Sequence, residues 1–78
     1  MTAVHGDLVV EVLSPSTRRK DLLLKREVYA DGVPTYWLVH PATRTLTVLS
    51  LRDGAYVQTA QGARLELEAP FPVVVDLT

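Results

Sequence analysis

The chain has 78 residues, which sets a ceiling of one small domain with a thin stability margin, since a chain this short buries only about 60% of its unfolded surface. Hydrophobic residues make up 47% and charged residues 22%, enough apolar material to exclude a disordered segment. Cysteine is absent and there are two histidines, which excludes disulfide staples, thiolate metal sites and a zinc site built from His5 and His40 alone.

A net charge of −1 exerts no global pull toward nucleic acid or acidic membranes. The apolar runs are far too short to span a bilayer, and the N-terminus carries no secretory pattern. A cytoplasmic protein is expected.

Met1 to Gly6 reads as a short lead with nothing to pack by itself. Asp7 to Leu13 follows as a nearly unbroken apolar run, the composition of a strand buried on both faces. Such a strand needs two neighbours, expected from later in the chain or from another molecule. Glu11 breaks the run. An ionised carboxylate is seldom fully buried without a partner, and residues that break a local pattern cluster at functional sites. The alternative is a Glu facing an open, solvated groove.

Ser14-Pro15-Ser16-Thr17 ends the strand and offers helix N-caps. From about Thr17 to Asp31 the chain has helix formers without Pro or Gly, and Gly32 is a plausible stop. At about 100° per residue, Leu24, Val28, Asp21, Lys25, Arg18, Tyr29 and Leu22 share one half of the helix. Arg19, Lys20, Leu23, Arg26 and Glu27 share the other. Lys25 thus lies inside the apolar arc. It either pairs with Asp21 or snorkels past the rim, or it points at the sheet and meets Glu11. A helix folding back over its strand puts Lys25 and Glu11 each about 10 Å below the connection. The two depths match.

Val33-Pro34 is a turn, and Thr35 to His40 is a second apolar strand, expected parallel to the first through the crossover. Tyr36 and Trp37 read as core and rim. Arg44 to Leu51 alternates as a half-exposed strand, Arg52-Asp53-Gly54 is a hairpin signal, and Ala55 to Gln61 returns. Arg64 to Glu68 alternates charged with apolar, and Val73 to Val75 closes the chain as a short strand. The expected class is a mixed α/β (α+β) fold, strand–helix–strand followed by an antiparallel meander. His5 and His40 read as structural or surface residues. No Gly-rich phosphate loop, HExxH, GxSxG or CxxC occurs. The basic residues between Arg18 and Arg26 read as a solvated face that would also suit a phosphate backbone.

Three segments together resemble a family: Asp7-Leu-Val-Val-Glu11-Val-Leu-Ser-Pro-Ser-Thr17, Asp21-x3-Lys25-x3-Tyr29, and Gly32-Val-Pro-Thr-Tyr-Trp-Leu-Val39. This combination is similar to the bacterial family of restriction-endonuclease domains in the PD-(D/E)XK superfamily, over roughly residues 6 to 60 and weakly to the end. The resemblance implies a mixed sheet flanked by helices and a divalent-metal phosphodiesterase acting on DNA. It implies Glu11 as the metal carboxylate, the Val12 carbonyl as companion ligand, and Mg²⁺ or Mn²⁺ as the metal. Leu13 stands where the usual Glu-x-Lys triplet has its lysine, and Lys25 on the helix takes that role.

The chain also departs from the family pattern. Gly6 replaces the usual Pro and His40 the usual Asp. The family's metal-binding Asp is expected on a strand upstream of the aligned segment. Asp7 cannot substitute, because four residues along a strand separate it from Glu11 by about 13 Å. The 78 residues therefore read as a single partial domain lacking the family's N-terminal helix and first strands. Two classes follow. One is a nuclease complete only when a second chain supplies the missing acid and strands. The other is a non-catalytic assembly module derived from the nuclease fold. A homo-oligomer burying Asp7 to Leu13 or the apolar helix face is expected.

Overall fold

The computed structural model describes residues 2–14, 19–68 and 71–78. In chain order the elements are β1 (Thr2–His5), β2 (Leu8–Val12), α1 (Arg19–Tyr29), β3 (Thr35–His40), β4 (Thr45–Arg52), β5 (Ala55–Gly62), β6 (Arg64–Leu67) and β7 (Val73–Asp76). The first five strands form one sheet in the order β1-β2-β3-β4-β5, and β6 and β7 form a second, two-stranded sheet. Only β2 and β3 run parallel, which is what a strand–helix–strand unit requires; the other pairs are antiparallel.

The lead is not idle. Gly6, at φ +43°, lets the chain reverse, a conformation that costs glycine little. Thr2 to His5 then pair antiparallel with Leu8 to Glu11. β2 therefore has β1 on one side and β3 on the other, both from its own chain. The neighbour expected from later in the chain or from another molecule is, over Leu8 to Glu11, the lead itself, and β1 is the outer strand of the sheet.

Alternation along the strands divides the core into two layers. Val9, Tyr36, Leu38 and Leu49 pack beneath Leu22 and Tyr29 of α1. On the opposite face Leu8, Trp37, Leu46 and Val48 pack against Leu65, Leu67, Val73 and Val75 of the β6–β7 hairpin. Coverage on both faces is why β2 and β3 read as continuous apolar runs rather than alternating ones. Each fully buried aliphatic or aromatic side chain here contributes roughly 1.5–3 kcal/mol. Truncating Leu46, fully buried, to Ala should cost about 2–5 kcal/mol.

The meander expected after β3 ends at Ala63. Asp53 and Gly54, at φ 51° and 82°, form the primed two-residue turn that Asp-Gly favours between β4 and β5. At Gly62 the chain turns back so tightly that a Cβ would come within 3.2 Å of Leu65 Cδ2. The Leu77 amide donates to the Ala63 carbonyl at 2.7 Å. This return lays β6 and β7 over the Trp37 face instead of extending the sheet.

The helix ends at Tyr29, before the expected Asp31, and residues 15–18, with the expected start and N-caps, lie outside the described residues. Its buried face also differs. Leu22, Lys25, Arg26 and Tyr29 are partly buried, an i, i+3, i+4, i+7 stripe. Leu24 and Val28, assigned to the inner half from the sequence, are 52% and 70% exposed. Arg26, assigned to the outer half, turns inward.

Candidate active site at Glu11 and Lys25

Glu11 sits on the α1 face of β2, in line with Val9. Only 2% of it is exposed, which makes it one of the largest fully buried side chains. Burying a carboxylate this deeply costs several kcal/mol without a compensating cation. Lys25 supplies one: its Nζ donates to Glu11 Oε1 at 3.0 Å. The pair is asymmetric, with the Glu11 side chain 3% exposed and that of Lys25 39%. Lys25 reaches in from the surface along its apolar stem, as the matched depths of strand and helix led us to expect.

Val12 is half-buried at the end of β2, and the Leu13 amide continues the pairing by donating to the Val39 carbonyl at 2.9 Å. Opposite Glu11 in the ladder lie Leu38 on β3 and Thr2 on β1. Among the described residues, no group of three or more His, Cys, Asp or Glu could hold a metal ion.

Several polar groups around this site had no distinct signal in the sequence. Tyr36 is fully buried beneath α1, its ring edge-to-face with Tyr29 and Tyr56 at centroid distances of 5.8 and 5.4 Å. Its hydroxyl has no hydrogen-bond partner among the described residues. Burial first, and the Glu11 charge second, push the phenol up to about 12, so it stays protonated. Burial also raises Tyr56, whose hydroxyl donates to the Val33 carbonyl at 2.6 Å. His40 lies in a polar chain: Gln61 Nε2 donates to Thr47 Oγ1 at 3.0 Å, and Thr47 Oγ1 meets His40 Nε2 at 3.2 Å. That agrees with a structural role for His40. His5 is part of β1 rather than a frayed lead.

A mixed sheet that buries a glutamate beneath a helix-borne lysine is compatible with a nuclease-like core. Residues 3–78 match the Uma2 family model, described as "Putative restriction endonuclease", and the chain belongs to that family. No curated protein matches the chain. Among the described residues no helix is long and apolar enough to cross a membrane.

Proposed function

We propose that this domain contributes a half-site for metal-dependent hydrolysis of DNA phosphodiesters. The observation that carries the reading is the 3.0 Å contact of Lys25 with the almost wholly buried Glu11 carboxylate beneath α1, in a chain of the restriction-endonuclease family. The carboxylate of Glu11 and the carbonyl of Val12 are hard oxygen donors suited to Mg²⁺ or Mn²⁺, and Lys25 is the group that positions or polarises an attacking water. A magnesium ion gripped by one carboxylate and one carbonyl is weakly held. The described residues therefore do not fit a complete metal site. Further acidic ligands would come from a partner chain or from sequence beyond these residues. Until they do, Lys25 stays bonded to Glu11 at 3.0 Å.

It follows that the 78-residue chain does not cleave DNA alone. The test is supercoiled plasmid with Mg²⁺ or Mn²⁺, beside a Glu11→Ala control. Metal-dependent nicking that disappears in the control would show a complete site and overturn the half-site reading.

A second reading, a non-catalytic module that assembles as a homo-oligomer, draws on one specific observation. Leu23, Leu24 and Val28 are 50%, 52% and 70% exposed on α1, an apolar stripe of the kind found at protein interfaces. Both readings place the domain inside a larger assembly.

A further inference from the structure

A cleft of about 290 Å³ lies between the C-terminal half of α1 and the β4–β5 turn, lined by Arg26, Glu27, Ala30, Gly54, Ala55 and Tyr56. Arg26 Nε is buried behind this cleft without a hydrogen-bond partner among the described residues, and the nearby Tyr36 hydroxyl, within electrostatic reach of both Arg26 and Glu11, is likewise unpartnered among them. A buried donor on a cationic group left unbonded is costly, and an orphan of this kind calls for a specific cause. Among the described residues the Arg26 side chain has neither a hydrogen bond nor a carboxylate partner.

We infer that this cleft is an anion site in which Arg26 receives a phosphodiester of nucleic acid flanking the group engaged at Glu11; the inference rests on the nuclease reading above. The guanidinium presents donors in a planar fork that matches phosphate oxygens. Ala30, Gly54 and Ala55 leave room, and a Cβ at Gly54 would meet nothing within 4 Å. Tyr56 offers only its ring, because its hydroxyl is committed to Val33. Glu27 opposes an anion, but it is exposed at the mouth, where solvent and salt screen it. Arg26 also follows Lys25 directly in sequence, so one helix would present a cation to each of two sites.

The test is anisotropy of a short labelled DNA duplex across a salt series without divalent metal, for wild type, Arg26→Gln and Glu27→Gln. In parallel, inorganic phosphate is titrated while the Arg26 Nε–H resonance is followed in the wild type. Arg26→Gln should weaken duplex binding roughly five- to tenfold and make the salt dependence shallower by about one phosphate contact. Glu27→Gln should bind no more weakly than wild type, and phosphate should shift the Nε–H resonance. Duplex binding unchanged in Arg26→Gln, binding weakened in Glu27→Gln, or a static Nε–H resonance would each overturn the inference and leave the nuclease reading standing. A wild type that binds no duplex would also overturn the inference, while the half-site reading of Glu11 is judged separately, by metal titration.

Discussion

Lys25 and Glu11 meet at 3.0 Å with the carboxylate almost wholly enclosed and the ammonium more than a third exposed. Breaking such a pair is not symmetric. Lys25→Met removes the cation bonded to the buried carboxylate and should destabilise the domain by about 1–3 kcal/mol. That is less than the roughly 3–5 kcal/mol of a fully buried pair, because water replaces part of what Lys25 provides. Replacing both residues, as Glu11→Leu with Lys25→Met, should give a protein at least as stable as wild type. Urea denaturation at neutral pH checks both. A double variant much less stable than wild type would mean the pair serves the fold rather than a site.

Tyr36 makes a prediction at high pH. Its phenol titrates near 12 in the folded chain, against 10.0 for an unperturbed tyrosine. Above pH 10 the unfolded chain has lost the proton that the folded chain keeps. Its contribution is therefore complete below pH 10 and is lost as pH rises through 12, a fall of roughly 2–3 kcal/mol. Thermal unfolding between pH 9 and about 12 should show that fall in wild type and a reduced one in Tyr36→Phe. At pH 7 the Phe variant should be as stable as wild type or slightly more so, since it removes a buried hydroxyl without a partner.

How much of this was legible in the sequence depends on the residue. β3 was legible to its ends, Thr35 and His40, because a turn bounds each side of an apolar run. The Asp53-Gly54 turn was legible because few residue pairs accept two positive φ values. The Glu11–Lys25 meeting was legible as one of the options for a lysine inside the apolar arc, because a helix folding back over its strand brings the two to matched depths. β1 was not legible, since Thr2 to His5 is too short to show alternation and earns its place only by pairing with β2. The inner face of α1 was read correctly for Leu22, Lys25 and Tyr29 and wrongly for Leu24, Val28 and Arg26, because two stripes compete on the wheel. Leu24 and Val28 are the more hydrophobic, yet the sheet selects Leu22, Lys25, Arg26 and Tyr29. Burial of Glu11 favours the face that delivers Lys25, and that rotation brings Arg26 inward and carries Leu24 and Val28 outward.

That outward stripe underlies the assembly prediction. With β2 paired on both sides, association should run through α1 and not through Asp7 to Leu13. Light scattering at tens of micromolar should show a dimer or larger species for wild type, reduced to monomer by Leu24→Glu with Val28→Glu. A monomeric wild type would remove the homo-oligomer from the account.

The central claim is that Glu11 is the metal carboxylate of a half-site, and Mn²⁺ titration followed by paramagnetic line broadening tests it most directly. The account predicts weak, millimolar broadening centred on the amides of Glu11, Val12 and Leu13 that is lost in Glu11→Gln. Broadening that is centred elsewhere, or that persists unchanged in Glu11→Gln, would contradict it.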